Sequence, residues 1–224
     1  MALGIDTTNG TLWVASAEAD GLVATLHKLQ LISGRALASC EMLGGLAPVR
    51  PFDVTVTVSG AVLLLDAAQS RVLVLRPGAP PLEVLADLQE AAPASLTVGS
   101  HDGVAYVAHR DGLSRVDLRA RVVSPLTGPN GTVLGGIERL RRHATGLVGV
   151  QALPDGSHRL VRLALDAAGR AVTGLQVIDV PLPSAAPTFA AVCGDTLAFL
   201  VGETAGTADQ PSTAWTVRRI RLDP

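Results

Sequence analysis

Several residues in this chain have the types and spacing for chemistry. GGIERLRRH (Gly135–His143) sets Arg139, Arg141 and Arg142 around Leu140; wound as a helix, it would be a basic surface for phosphate. GSHDG (Gly99–Gly103) pairs His101 with Asp102, two members of a triad that needs a nucleophile as its third. No G-x-S-x-G elbow exists in the chain to supply one, and the segment has the turn chemistry of a hairpin loop. His109 ends the AYVA run and can look into a channel, and Glu203 follows Gly202 in a polar run where it can reach a ligand. His143 and His158 lack the spacing of a metal-binding pair. Cys40 and Cys193 are the only cysteines; they cannot make a zinc site and imply no disulfide framework, so two buried thiols are expected.

None of these side chains acts until a fold positions it. A chain of 224 residues buries roughly three quarters of its unfolded surface and needs neither metal nor disulfide to hold a core. With 48 % hydrophobic and 17 % charged residues, disorder is excluded. No apolar run reaches the ~18 residues of a membrane span. The formal net charge of −2 argues against a nucleic-acid partner, which needs a broad basic face. Lys28 is the single lysine, and arginine carries the remaining positive charge; this bias, with abundant Ala, Leu and Val, fits a bacterial gene. Met1 leads into ALGIDTTNG without a basic or an apolar leader region, so the default expectation is cytoplasmic, or periplasmic or secreted if the true start lies upstream.

Apolar and β-branched runs of 4–8 residues recur, punctuated by Gly, Asp, Asn or Pro. Five segments share one grammar of strand, turn, strand, looser loop, strand, turn, strand. Their second strands read GTLWVAS (10–16), GAVLLLD (60–66), GVAYVAH (103–109), GLVGVQA (146–152) and DTLAFLV (195–201). A spacing of ~40–50 residues with four strands per unit predicts an all-β chain folded as a β-propeller. The approximate units are 1–50, 51–92, 93–133, 134–183 and 184–224. Five visible units fit a five-unit toroid or part of a six-bladed propeller, the latter leaving an open sheet edge.

GIERLRRH takes the place that LGIDTT, FDVTVTV, SLTVG and PTFAAV take in the other units. Glycines 135, 136 and 146 confine it to too few residues for a stable amphipathic helix. It is therefore a strand, with its arginines on a solvated hairpin. Asn9-Gly10 and Asn130-Gly131 read as turns. The run from Gly202 to Thr213 reads as a loop.

The order IDTTNGTLWVAS, FDVTVTVSGAVLLLDAAQSRVLVLRPG, DGVAYVAHRDGLSRVDL, GGIERL with GLVGVQ and HRLVRLALDAAGRAVTGLQVID, then PTFAAVCGDTLAFLVG resembles the gluconolactonase, senescence-marker-protein and luciferin-regenerating group of six-bladed propellers. It is most similar to bacterial, NHL-like members. The resemblance implies a central channel with a divalent metal (calcium, magnesium, manganese or zinc) held by carboxylates and amides of inner strands. There it would polarise an ester carbonyl and activate water.

Against that pattern the chain has Pro51-Phe52-Asp53 for a usual PND, and Glu138-Arg139-Leu140 for DGL. It has Gln151-Ala152 for QN, and Ala185-Ala186 for an acidic pair before Pro187-Thr188. The resemblance thus leaves Asp53 and Glu138, with Gln151 as a neutral third ligand, to hold a metal or to act as an acid–base pair. The structural alternatives are a turn cap for Asp53 and an arginine partner for Glu138. The expectation is a lactonase-like propeller with an eroded metal site. It would be a monomer, binding a small molecule or a protein at the channel mouth without a membrane span. The alternative is a metal-dependent lactone or ester hydrolase.

Overall fold

The computed structural model describes residues 2–6, 9–18, 23–42, 48–89, 92–100, 102–182, 190–207 and 210–222. They form an all-β chain, a β-propeller built from five antiparallel sheets. The first sheet holds β1 (Ala2–Asp6), β2 (Thr11–Ala17), β3 (Ala24–Gln30) and β4 (Ala36–Glu41). The second holds β5 (Pro51–Val56), β6 (Val62–Asp66), β7 (Arg71–Arg76) and β8 (Ala79–Asp87). The third is β9 (Pro93–Val98), β10 (Val104–His109), β11 (Gly112–Asp117) and β12 (Val122–Pro125). The fourth is β13 (Ile137–His143), β14 (Gly146–Ala152), β15 (His158–Leu165) and β16 (Val172–Leu182). The fifth has three strands among the described residues: β17 (Ala190–Cys193), β18 (Thr196–Thr207) and β19 (Gln210–Arg221).

Each sheet is an up-and-down meander, and the first strands β1, β5, β9, β13 and β17 lie against one another in succession around the centre. GIERLRRH is strand, as its place in the repeat requires. Period-2 alternation explains the packing. In β6 every residue of VLLLD is buried, because Leu64 faces the first sheet while Leu63 and Leu65 face the third. In β2 burial alternates, with Trp13 and Ala15 turned to the second sheet. Four apolar clusters fill the four joints between consecutive sheets, and among the described residues none joins the fifth sheet to the first.

Two glycines are needed at close approaches. A Cβ on Gly4 would lie 2.7 Å from Val54 Cγ1, so β1 and β5 meet only because position 4 has no side chain. Gly136 has a φ of +76° and a Cβ there would meet the Ala152 carbonyl at 2.8 Å; this turn feeds the chain into β13.

Two expectations change. The described residues of the polar run from 202 to 213 are strand and not loop: β18 and β19 form one long hairpin whose ladder continues to Thr207 opposite Gln210. Backbone pairing and β-branched threonines outweigh the two glycines there. The cysteines are free but not both buried, Cys40 being half-buried and Cys193 exposed. Cys193 sits opposite Thr196 at the β17–β18 turn.

Candidate functional site

The centre is organised by a bulge repeated in three sheets. In β5, β9 and β13 the ladder skips one residue, respectively Phe52, Ala94 and Glu138. Such a bulge adds a residue on one strand and re-aims the side chains beside it. The next residues, Asp53, Ser95 and Arg139, are therefore structural equivalents, opposite Leu65, Ala108 and Val150.

Asp53 is buried, at 7 % exposure. Its Oδ2 accepts the Ser95 hydroxyl at 2.7 Å, the Leu96 N–H at 2.9 Å and Arg141 Nη1 at 3.0 Å. Its Oδ1 accepts the Val54 N–H at 3.0 Å and Arg141 Nη2 at 3.4 Å. The fully buried Ser95 in turn accepts the Leu140 N–H at 3.0 Å. Arg141 donates Nε to the Ala190 carbonyl at 2.9 Å and Nη1 to the Leu140 carbonyl at 2.7 Å. One ion pair with its hydrogen bonds thus ties together the inner strands of four sheets. Its donors and acceptors are matched, the condition under which a buried pair holds.

Arg139 crosses above this network. Its guanidinium stands 5.9 Å from the centroid of the Phe52 ring and donates to the Glu138 carbonyl at 2.7 Å. Burial lowers its pKa from the ordinary value; Asp53 and Glu138 oppose that, and Arg141 adds to it. Both carboxylates therefore act on one arginine at one end of the centre, but they do not share a ligand position. Glu138 keeps 42 % of its side chain exposed and pairs with His158 Nε2 at 3.5 Å. Of the three arginines expected on a solvated hairpin only Arg142 is exposed, while Arg141 is spent on Asp53.

Gln151 is 1 % exposed. Its amide nitrogen donates to the Val133 and Gly135 carbonyls at 3.0 and 2.7 Å, and its oxygen accepts Arg159 Nε at 2.9 Å. It pins the segment that leads into β13. The residues that the resemblance puts on a divalent cation do not fit one. Asp53 is neutralised by a guanidinium, Gln151 turns its oxygen to Arg159 and Glu138 faces a histidine. Among the described residues no three His, Cys, Asp or Glu side chains group to hold a metal.

The other candidates are scattered. His109 Nε2 lies 3.2 Å from Ser114 Oγ beside a cavity of about 420 Å³, which Asp87 and Arg121 also line. A triad would need an acid on Nδ1; that atom is buried and has no hydrogen-bond partner, and Asp87 instead accepts the Gln89 N–H at 3.0 Å. Asp102 spends both carboxylate oxygens on the Val58 and Ser59 N–H groups, at 2.7 and 2.8 Å, clamping the third sheet to the second. His101, like the Ala185-Ala186-Pro187-Thr188 stretch, lies outside the described residues. Glu203 is on β18 opposite Ala214, and its side chain is likewise outside them. His143 pairs with Asp195 at 3.4 Å.

Sequence reasoning missed Ser95 and Arg141 as central residues. The signal available was the recurrence of a polar residue after the bulge, visible only once the bulge is known.

No protein-family model matches the chain, and no curated protein matches it. Solved structures do. The hydrazine synthase of Kuenenia stuttgartiensis superimposes with a TM-score of 0.67 at 12 % identity, over 99 % of this chain and 66 % of that one. A streptogramin B lyase gives 0.64 at 16 % identity, over 100 % of this chain and 69 % of its own. The β-propeller domain of Myceliophteria thermophila Cps50 (Swd1) gives 0.59 at 14 % identity, over 98 % and 72 %. The chain thus spans about two thirds of the length of the structures it resembles. At such identities the likeness shows the propeller fold, which hosts many unrelated functions.

Proposed function

We propose that this chain is a binding propeller, one that holds a small molecule or a protein partner without performing chemistry on it. The observation that carries this reading is the state of Asp53. Its carboxylate is buried, paired with Arg141 and given three further donors by Ser95, Leu96 and Val54. A general base or metal ligand needs an accessible lone pair, and this one has none to offer. Glu138 alone would give a cation one carboxylate and leave the other positions to water, a weak site.

Thermal unfolding with calcium, magnesium, manganese and zinc tests this. A cation at a hundred times its dissociation constant would add about 2.7 kcal/mol to stability, which for a chain of this size is a rise of about 5–11 °C. The expected result is no rise with any of the four. A rise that Glu138→Ala abolishes would overturn the reading and restore a metal-dependent lactone or ester hydrolase.

A further inference from the structure

Away from the centre, the joint between the first and second sheets opens outward into a groove of about 590 Å³, within the range of small-molecule sites. Its floor is apolar: Trp13, Leu26 and Val62 line it and are buried. The gap exists because β4 offers small side chains, Ala38 and Cys40, where the paired register puts them on the face turned to the second sheet. Two cations stand on the wall, Lys28 and Arg76, and no carboxylate among the described residues lines the groove.

Lys28 is the single lysine of the chain. Its ammonium stands 5.4 Å from the centroid of the Trp13 ring, and no carboxylate among the described residues pairs with it. The ring steadies the ammonium without neutralising it. Arg76 reaches Glu83 at 3.5 Å, but that same acid takes Arg121 at the shorter distance of 2.8 Å. Two guanidiniums sharing one carboxylate leave a net positive charge beside the groove.

We infer that this groove is the ligand site of the binding propeller, and that it takes a small organic anion with an apolar body. The head, a carboxylate or a phosphate ester, pairs with Lys28 and Arg76, and the body lies over Trp13, Leu26 and Val62. The inference rests on the binding reading above and adds where the ligand sits and which chemistry recognises it. A neutral ligand would forgo both charges. A cation would meet like charge at the wall that carries Lys28 and Arg76.

Four probes separate head from body: 4-phenylbutyrate, 4-phenylbutyl phosphate, 4-phenyl-1-butanol and acetate. Titration calorimetry measures affinity. Emission of a Trp215→Phe protein, in which Trp13 is the only tryptophan, reports the place. The two amphipathic anions are expected to bind and to change Trp13 emission, at least tenfold more tightly than the alcohol or acetate. Their ratio says which head is preferred. Lys28→Gln should weaken the anions tenfold or more, and Arg76→Gln a few-fold, with melting temperatures moved by about 2 °C or less.

No binding by either anion would overturn the inference, as would equal binding of the alcohol or full affinity in Lys28→Gln. Binding without a Trp13 response would place the ligand elsewhere and overturn it too. These outcomes leave the metal experiment untouched. A cation-induced rise abolished by Glu138→Ala would sink the binding reading whatever the anions do.

Discussion

The centre and the groove of the first joint both gather positive charge, and they treat it oppositely. At the centre, Arg141 is three-quarters buried and meets Asp53, Ser95 and two backbone carbonyls. In the groove, Lys28 meets an aromatic face and open space, and Arg76 shares its acid with Arg121. Removing a partner from a matched, desolvated pair strands a charge. Removing a cation from a half-open wall strands nothing. The first arrangement holds inner strands together; the second is available to a visitor. Residues of one chemical type therefore separate into structural and functional by the partners the fold gives them.

That contrast is most exposed to a change at Asp53. Asp53→Ala takes from the Arg141 guanidinium its counter-charge and from the Ser95 hydroxyl its shorter acceptor, between strands of four sheets. The expected loss is about 3 kcal/mol, at the lower end for removing one partner of a buried pair, because a quarter of the Arg141 side chain meets solvent. The melting temperature should fall by about 6–12 °C. Should that protein fail to fold, Asp53→Asn, which keeps an acceptor, gives the same sign with a smaller drop. A double-mutant cycle with Arg141→Ala sharpens the reading: coupling of about 1 kcal/mol or more is expected, and additivity would mean that the centre is held by packing alone.

The counterpart in the groove should be quiet. Lys28→Gln loses a cation–ring contact worth about 0.5–1 kcal/mol at an exposed site, and Gln keeps part of the packing over Trp13. Its unfolding midpoint should move by 2 °C or less. A drop as large as that of Asp53→Ala would erase the distinction and make Lys28 a structural residue.

The two regions were unequally legible in the sequence. Alternation in β2 and the unbroken apolar run of β6 gave away strands with one and two covered faces, and turn residues gave the period. The bulge did not show. One skipped residue makes Phe52, not Asp53, the structural counterpart of Glu138, so the two acids stand at different positions relative to the bulge. Nor did the pairing of Asp53 with Arg141 show, because 88 residues separate them and neither position is marked by its neighbours. The groove was invisible for a different reason. It depends on how far apart two sheets stand, which small residues in β4 permit but do not announce. The solitary lysine was visible; its place over Trp13 was not.

A third joint, between the third and fourth sheets, supplies an intermediate case. There Tyr106 closes the gap: it is 3 % exposed, packs with Leu113, Leu140 and Leu163, and donates its hydroxyl to the Gly169 carbonyl at 3.0 Å. Burial raises the pKa of this phenol above its ordinary value of 10; Arg115 opposes the rise and Asp166 adds to it. The folded chain thus favours the neutral form. The stability tied to it is fully present below pH ~10 and is lost as pH rises through the raised folded value. Tyr106 is the only tyrosine, so absorbance near 295 nm follows it alone. Phenolate should appear above pH ~10 in the folded protein, with a parallel decline in melting temperature that Tyr106→Phe removes. Phenolate forming at or below pH ~10, in a chain still folded, would mean that water reaches the ring and that this joint is as open as the first. The two joints would then differ in their charges and not in their closure, and the groove would lose its claim to be a place apart.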